Sequence, residues 1–370
     1  MKIVLTVVAD EVGGAERYLE LLADELADRG VEVAFVGRAP FVPPGQVRDV
    51  AVGPKWSRRT LFTSVLRARR DRSRLLRAVL AEKPDLVHLQ FKREQVLLSK
   101  PLARRGVPVI WTEHGVWPGG VFGRGLGFIY RRASRHVRSI ICVSRPVAAS
   151  LREDVGVRGG LLHVIDNPVD PEVYFPDAQS RAETLEGLGI GSESVVVVTT
   201  SRLETAKGID RAIESIRHLP APFHLLVVGD GQARHDLEVA AGGDLTGRVT
   251  FTGFRDDVAA ILRACDVFLL PSTTQAREGS PLSLLQAVAT GLPHVVTRDS
   301  GVADVLVDTG VRVAEPTAAG IASAVQDAHQ RRADLSAMAL QAAERYTTTI
   351  WADEHHEAMR FAAATPRGSA

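Results

Sequence analysis

The sequence predicts an α/β protein built from two doubly wound, Rossmann-like domains that face a central cleft. Short apolar, β-branched segments alternate with longer helical segments along the chain, as they do in parallel βα units. The alternation is interrupted at residues 167–177, where three prolines in eleven residues indicate a linker or hinge, and it then starts again. A chain of 370 residues with 45% hydrophobic content is long enough for two domains.

These observations assign residues 1–170 to the N-terminal domain and residues 171–350 to the C-terminal domain. The first domain has predicted strands at 3–8, 31–36, 85–89, 107–112, 139–143 and 162–165, and a helix at 15–29 that ends before Gly30. The second has predicted strands at 194–200, 223–228, 249–252, 266–270, 294–297 and, more weakly, 311–313. A last helix at 351–363 is expected to pack back on the N-terminal domain.

The net charge of +1 conceals an uneven distribution of charged residues. Residues 1–170 contain 28 Lys+Arg and 18 Asp+Glu, a net charge of +10, which leaves 17 basic and 26 acidic residues, net −9, for the remainder. The basic half is therefore expected to attract anions.

The cysteines and the N-terminus favour a cytoplasmic protein. Cys142 and Cys265 lie in apolar strand segments, which predicts buried free thiols in a reducing compartment. No apolar stretch approaches the roughly 18 residues that would cross a bilayer. The first strand runs quickly into Asp10 and Glu11, unlike a signal peptide.

Residues 278–287 follow an apolar strand and open a helix, and they are the most informative segment. Pro281 suits the first helical turn, and Ser280 before it can cap the helix. The free N–H groups of such a helix start attract a phosphate, and Glu278 beside it could bind hydroxyls. This layout suits a phosphorylated sugar, although an ordinary βα turn is the alternative.

Three further groups lie just after predicted strands, where open parallel sheets bind ligands. They are the pair Gly13-Gly14, His114, which could donate to a substrate oxygen, and the cations Arg202 and Lys207, which fit a diphosphate. Each also has an ordinary structural explanation: a common βα turn, a histidine bonded to backbone, and solvated surface charges. The loop at Gly229 resembles a nucleotide turn but lacks the third glycine of a dinucleotide fingerprint.

Taken together, these segments resemble glycosyltransferase family 4, retaining nucleotide-sugar enzymes with the GT-B fold. The segments follow the family's order almost from end to end; they are 13–16, 112–115, 142–144, 164–170, 201–203 with 207–210, 228–231 and 249–254. Glu278 begins the family's E-x7-E motif, but Gln286 stands at the second glutamate. Glutamine keeps an acceptor oxygen, adds two donors and loses the charge, so the ribose contact that the resemblance implies can survive, whereas the nucleotide preference is put in doubt.

The resemblance implies transfer of a hexose-type sugar from a nucleoside-diphosphate sugar to a hydroxyl, with retention at the anomeric carbon. Arg202 and Lys207 would stabilise the departing diphosphate, Glu278 would orient the donor's hydroxyls, and His114 would contact the donor sugar. The other donor-binding residues are expected to be Gly13, Gly14, Gly229, Phe254 (near the base), Gly279, Ser280, Pro281, Leu282 and Gln286. No Asp-x-Asp stands where a divalent metal would hold the diphosphate, so no metal or other cofactor is expected.

The acceptor is assigned to the N-terminal domain, and its class stays open: a lipid-linked glycan, a cell-envelope sugar or a natural product. Residues 55–77 carry nine basic residues and one acid, and residues 124–138 carry five arginines and no acid. Such segments can lie on an anionic membrane at its inner face, bind an anionic acceptor, or be solvated helix faces. Nucleic acid is not expected, because few aromatics accompany the charges. The alternative activities are a nucleotide-sugar isomerase or a sugar-nucleotide-binding protein that has lost catalysis.

Overall fold

The structure is a computed structural model, and it describes residues 1–8, 14–39, 41–42, 46–53, 61–177, 179, 181–303 and 305–364. Of residues 61–66, 121, 122 and 307 it describes the backbone only. The chain divides into two compact units: residues 1–166 with 349–370 form the first, and residues 167–348 form the second. The division falls after Asp166, whereas the sequence analysis placed it after residue 170.

The described residues of the first unit form a parallel sheet of seven strands. They are β1 (Lys2–Val8), β2 (Glu32–Arg38), β3 (Val47–Asp49), β4 (Leu86–Leu89), β5 (Val109–Glu113), β6 (Ser139–Cys142) and β7 (Leu162–Val164). The strand order is β3-β2-β1-β4-β5-β6-β7. The helices are α1 (Gly14–Asp28), α2 (Leu61–Ala81), α3 (Lys92–Ala103), α4 (Gly120–Ser134), α5 (Arg145–Ser150) and, from the end of the chain, α13 (Thr348–Ala364).

The second unit repeats this architecture with a parallel sheet of six strands among its described residues. They are β8 (Val195–Thr200), β9 (Phe223–Val228), β10 (Val249–Gly253), β11 (Val267–Leu270), β12 (His294–Thr297) and β13 (Arg312–Ala314), in the order β10-β9-β8-β11-β12-β13. The helices are α6 (Arg181–Gly187), α7 (Ile209–Ile216), α8 (Arg234–Ala240), α9 (Val258–Ala264), α10 (Leu282–Ala289), α11 (Ala318–Gln330) and α12 (Arg332–Ala343).

Every predicted strand is present to within two residues, and β3 is the strand that the sequence analysis missed. The predictions hold for these strands because the strands are apolar and buried. Every residue of β4, β5 and β11 is buried, for example. In contrast, β3 has three partly or fully exposed residues, and it pairs with β2 at the edge of the sheet. The doubly wound α/β prediction is therefore confirmed.

The C-terminal helix α13 contributes to the core of the first unit. Trp351, Ala352, Met359 and Ala362 are buried there. They lie on one face of α13 with the buried His355, because residues 351, 355, 359 and 362 are three or four apart and residue 352 is next to 351. The last helix of the chain therefore packs in the same core as elements from residues 1–166.

Both cysteines are buried and free, as predicted. Burial raises the pKa of the Cys142 thiol to about 12, so this thiol stays protonated at neutral pH. In the part of the chain that the structure describes, every helix is too short or too polar to cross a bilayer.

Candidate functional site

The order in which the chain adds strands to the second sheet reverses between β8 and β11. From β8 the chain moves outward to β9 and β10, and from β11 it moves the opposite way to β12 and β13. Ligands of open α/β sheets bind outside the carboxyl ends of the strands at such a switch point. Lys207 and Glu278 lie in the two loops that follow β8 and β11.

These two loops are bound to each other through backbone contacts. The Thr273 backbone N–H donates to the Ala206 carbonyl at 2.9 Å, and the Thr273 hydroxyl donates to the same oxygen at 3.0 Å. Gly208 has φ +66°, and a Cβ there would lie 2.1 Å from the Pro271 carbonyl oxygen. Only glycine allows the loops to approach so closely, and this approach brings Lys207 near Glu278.

Lys207 and Glu278 form a mostly buried ion pair. The Lys207 ammonium lies 2.7 Å from Glu278 Oε1, and the Ser272 hydroxyl donates to the same oxygen at 2.8 Å. Side-chain exposure is 20% for Lys207 and 10% for Glu278. Ser272 is held in turn by Thr297, whose hydroxyl donates to the Ser272 carbonyl at 2.7 Å. We call Lys207, Glu278 and Ser272 the charged cluster.

Sequence analysis missed Ser272 and Thr297 as parts of the site. Ser272 comes two residues after the end of β11, and Thr297 is the last residue of β12. The rule that ligands meet strand ends would have found both positions. Serine and threonine are so common in loops that the rule alone does not single them out.

Arg202 is separate from the charged cluster in its contacts. Its side chain is 71% exposed and forms an ion pair with Glu204 at 2.8 Å. The sequence analysis assigned Arg202 and Lys207 to one diphosphate, whereas the structure pairs each cation with a different carboxylate. An exposed pair of this kind is weak, so the Arg202 guanidinium can exchange Glu204 for another anion at little cost.

The start of α10 corrects two details of the sequence analysis. The helix begins at Leu282, so Pro281 is its N-cap residue and not part of the first turn, and no side chain, that of Ser280 included, caps it. The Ser280 carbonyl lies outside the helix and accepts a side-chain N–H of Asn167 at 2.8 Å. Pro281 is extended, with ψ 120°, and its carbonyl accepts the first helical bond, from Leu284 N–H.

The first turn of α10 still has backbone N–H groups that no carbonyl of the helix accepts. The amides of the first residues, Leu282 and Ser283, have no acceptor within the helix. An anion near them is stabilised by these dipoles. Gln286 lies one turn further on the same half-buried face as Leu282 and Ser283, whereas Leu284 and Leu285 are buried in the core.

Gly229 and Gly231 have a packing role that the sequence analysis did not foresee. Gly229 has φ +131°, and a Cβ there would lie 2.0 Å from the Ser201 carbonyl oxygen; at Gly231 it would lie 2.4 Å from that of Leu203. Leu203 N–H donates to the Asp230 carbonyl at 2.8 Å. These glycines let the loop after β9 pack against the loop that carries Arg202. Their contact with a donor stays a prediction.

Phe254 follows β10 and is 76% exposed. Gly253 before it has φ +72°, a left-handed conformation that turns the chain at the strand end. An exposed aromatic ring beside such a turn is available for stacking. The assignment of the base to Phe254 stays a prediction.

In the first unit, His114 follows β5 directly. Its Nε2 lies 2.7 Å from Gln90 Oε1, and the Tyr18 ring contacts its ring edge-on, with centroids 4.8 Å apart. Tyr18 belongs to α1, whose first residue is Gly14. Gly13 lies outside the described residues.

The residue before His114 is also held firmly. Glu113 is 3% exposed; Tyr130 donates its hydroxyl to Oε1 at 2.7 Å, and Lys92 forms an ion pair with Oε2. The Lys92 ammonium also lies 4.8 Å from the centre of the Trp117 ring. These contacts anchor the backbone from which His114 projects, and sequence analysis did not identify Gln90 or Lys92 as parts of this site.

The chain is similar to known glycosyltransferases over most of its length. Residues 12–173 match Glycosyltransferase Family 4, and residues 194–331 match Glycosyl transferases group 1. The UDP-Gal:alpha-D-GlcNAc-diphosphoundecaprenol alpha-1,3-galactosyltransferase of Escherichia coli is 28% identical over 239 residues, 61% of each protein. The lipopolysaccharide core biosynthesis glycosyltransferase LpsE of Rhizobium meliloti is 28% identical over 78% of this chain and 77% of its own.

The fold matches a solved structure along nearly the whole chain. HepE of Anabaena, crystallised with UDP, superposes with a TM-score of 0.80 at 20% identity, covering 97% of this chain and 100% of HepE. At this identity the likeness speaks for the fold alone. The two family matches in chain order, the relatives and the paired parallel sheets show that this chain belongs to glycosyltransferase family 4 and has the GT-B fold.

Proposed function

We propose that the protein transfers a hexose-type sugar from a nucleoside-diphosphate sugar to a hydroxyl acceptor, with retention at the anomeric carbon and without a metal. The observation that carries the proposal is the charged cluster at the switch point of the second sheet, beside the first turn of α10. Positive charge and backbone dipoles at this strand end suit a diphosphate. HepE was crystallised with UDP, and this supports a nucleoside-diphosphate donor.

The proposed reaction breaks the bond between the anomeric carbon and the diphosphate oxygen. The bonding electrons leave with the diphosphate, and the acceptor oxygen forms the new bond on the same face of the sugar. The acceptor's proton passes to the departing phosphate oxygen, so the products are a glycoside and a nucleoside diphosphate. Lys207, Arg202 and the α10 amides would stabilise the leaving charge, which needs no divalent ion.

The remaining roles follow from chemistry and from the family resemblance. Glu278 Oε1 already accepts from Lys207 and Ser272. The carboxylate is therefore oriented before a donor binds, and it would accept from the donor's hydroxyls. Gln286 would contact the ribose, and His114 is assigned to the donor sugar.

The decisive experiment screens a panel of nucleotide-sugars for release of free nucleoside diphosphate. We expect release to depend on one donor and to rise when a suitable acceptor is added. The anomeric configuration of the product, read by NMR, tests retention. A new nucleotide-sugar formed without acceptor would favour an isomerase instead, and donor binding without any turnover would favour a binding protein.

We also propose that α4 brings the first unit into contact with an anionic membrane, where a lipid-linked acceptor would be found. Phe128 and Ile129 on α4 are 63% and 46% exposed, and Arg124, Arg131 and Arg132 around them are exposed. Exposed apolar side chains beside cations suit a membrane interface. The acceptor named for the Escherichia coli relative, a diphosphoundecaprenol-linked sugar, supports this class.

The helix α2 is less suited to this contact than the sequence analysis expected. Arg67, Arg69 and Arg70 are exposed, but Leu75 and Val79 are buried in the core of the first unit. The apolar side chains at 61, 62, 65 and 66 lie outside the described residues. We therefore propose that apolar side chains of α4 enter the membrane interface. The exposed arginines of α2 would only add positive charge near the membrane surface.

Vesicle cosedimentation tests the contact with vesicles that contain anionic lipid, at low and high salt. Each arginine near such a surface contributes about 1 kcal/mol, so Arg131→Ala combined with Arg132→Ala should weaken binding by roughly 30-fold. Phe128→Ser should also weaken it, whereas Val239→Ser, at a 68% exposed residue of the second unit, is the matched control. No binding to anionic vesicles at low salt would refute membrane contact.

A further inference from the structure

A cavity in the first unit is lined by arginines that the proposed function does not use. Its volume is about 820 Å³, and its lining residues lie between positions 103 and 161 of the chain. We infer that this cavity, which we call the arginine cavity, is a second anion site. It binds an organic ligand with at least two phosphate groups through Arg104, Arg135 and Arg158.

The arginine cavity lies at the edge of the first sheet where the strands begin. Its walls belong to the connection from α3 to β5 (residues 103–109), the connection from α4 to β6 (residues 134–138) and the loop before β7 (residues 158–161). The strands β5, β6 and β7 are parallel neighbours, so these connections meet at one edge. Because β5 has five residues, His114 after its end lies at the opposite edge, roughly 16 Å from its start. The arginine cavity is therefore separate from the place assigned to the donor sugar.

The guanidinium groups at the arginine cavity are exposed and have no carboxylate partner. Within the described residues, the side chains of Arg104, Arg135 and Arg158 form neither a hydrogen bond nor an ion pair, and no Asp or Glu lines the cavity. The exposed Arg152 and Arg255, by comparison, each pair with a carboxylate. Like charges repel one another, so a bound anion relieves this repulsion in addition to making its own contacts.

Cations at the ends of helices are common, and this explains only part of the cluster. Arg104 follows the last residue of α3 and Arg135 follows the last residue of α4, where a cation offsets the negative end of the helix dipole. Arg158 lies before the short helical turn at residues 159–161, whose positive end would favour an acid instead. Two helix ends of about −0.5 charge each offset only one of the three positive charges, so the arginine cavity keeps a net charge of about +2.

The lining of the arginine cavity indicates the class of anion. Guanidinium groups bind phosphate oxygens through two parallel N–H donors, and the positive charge is matched by two or more phosphate groups. The volume lies within the range of about 300–1,000 Å³ that is typical of small-molecule sites, so there is space for an organic part. The buried Val109 and Val137 offer that part an apolar surface. None of the described lining residues is Phe, Tyr or Trp, so the phosphate groups and not a nucleobase are recognised.

A diphosphate ligand of this kind has two sources. One is a soluble organic diphosphate. The other is a phospholipid headgroup, because Arg135 directly follows α4, whose Phe128 is proposed to contact the membrane. The seven residues between them correspond to a rise of roughly 10 Å along a helix. Only the lipid source rests on the proposed membrane contact.

Protection of arginines from phenylglyoxal tests the inference on the whole protein without donor or acceptor. The reagent modifies accessible guanidinium groups, and mass spectrometry of the peptides reports each arginine separately. Inorganic pyrophosphate at about ten times its Kd should slow the modification of Arg104, Arg135 and Arg158 by about tenfold. Arg331 is the control, because it is exposed, lies in the second unit and forms no ion pair among the described residues. Its rate should not change.

A double variant measures how much the arginines contribute. Each charge-assisted contact to phosphate is worth about tenfold or more in affinity, so Arg104→Ala combined with Arg158→Ala should weaken pyrophosphate binding by about 100-fold. The pyrophosphate concentration that half-protects Arg135 reports this affinity, so binding at the proposed donor site does not enter the measurement. The matched control, Arg69→Ala combined with Arg72→Ala, removes the same charge from exposed positions on α2 and should leave the affinity nearly unchanged.

Vesicles distinguish the two sources of the ligand. Cardiolipin has two phosphate groups in its headgroup, and phosphatidylglycerol vesicles of equal surface charge are the control with one. Protection by pyrophosphate supports a soluble ligand, and stronger protection by cardiolipin than by phosphatidylglycerol, without protection by pyrophosphate, supports a lipid headgroup. The inference is overturned if pyrophosphate gives no protection and the two kinds of vesicle protect equally or not at all. Equal protection of Arg331, or an unchanged affinity in the Arg104→Ala, Arg158→Ala variant, would overturn it as well.

Discussion

Replacing Lys207 by alanine should abolish most of the activity and also weaken the second unit. The ammonium is 2.7 Å from Glu278 Oε1, and the proposed function assigns it to the leaving diphosphate. Loss of one preorganised electrostatic contact to a developing charge lowers kcat by about 10²–10³-fold. That factor corresponds to about 2.7–4 kcal/mol of transition-state stabilisation.

The same substitution leaves the Glu278 carboxylate, which is 10% exposed, with Ser272 but without its cation. Removing the cation from a mostly buried carboxylate that keeps one hydroxyl donor costs about 1–3 kcal/mol of stability. For a unit of this size each kcal/mol is about 2–4 °C in Tm, so the melting temperature should fall by roughly 2–12 °C. Thermal unfolding followed by circular dichroism, together with release of nucleoside diphosphate, measures both effects.

Two further variants separate stability from chemistry. Lys207→Arg keeps the charge and should retain more activity than Lys207→Ala. The double variant Lys207→Ala, Glu278→Gln removes the uncompensated carboxylate, so it should regain stability but not activity. Turnover of Lys207→Ala within tenfold of wild type would refute the assignment of Lys207 to the diphosphate.

Three other predictions follow from the site and from buried histidines. Activity should persist with a chelator present, and complete loss that a divalent ion restores would contradict the metal-free proposal. In titration calorimetry with nucleoside diphosphates, Gln286→Ala should weaken binding and Gln286→Glu should hold or strengthen it, by about 1 kcal/mol at most; unchanged binding of Gln286→Ala would remove Gln286 from the ribose site. Burial lowers the pKa of His355 to about 4 from a usual 6.5, so the unfolded chain binds more protons below pH 6.5 and stability falls as the pH drops toward 4. Protonation of this histidine in the unfolded chain should lower the free energy of unfolding of the first unit by about 2 kcal/mol between pH 7.5 and pH 5. The four tryptophans all belong to that unit, so urea unfolding followed by their fluorescence measures the loss. Equal stability at the two pH values would contradict the prediction.

The sequence by itself determined the architecture, because the signals for strands and helices are local. Runs such as residues 194–200 are apolar and β-branched, and such a run is buried wherever a parallel sheet forms. The order of strands and helices then restricts the topology to doubly wound sheets. The order of short motifs was enough to indicate the family before any contact was known.

Tertiary structure decided which side chains meet. Lys207 and Glu278 are 71 residues apart, and their contact depends on Gly208 packing against the Pro271 carbonyl. The Ser280 carbonyl, two residues before α10, accepts from Asn167, which is 113 residues away in the sequence. Neither contact leaves a periodic pattern in the sequence.

The contact between Tyr18 and His355 is the clearest case of information that only the fold contains. Tyr18 and His355 are 337 residues apart in the sequence, and the Tyr18 hydroxyl lies 2.5 Å from His355 Nε2 in the fold. Each of these side chains is unremarkable alone, and its role depends on having a polar partner where burial excludes water. Hydrophobic periodicity can be read from neighbours in the sequence, but the direction of a hydrogen bond is fixed by neighbours in space.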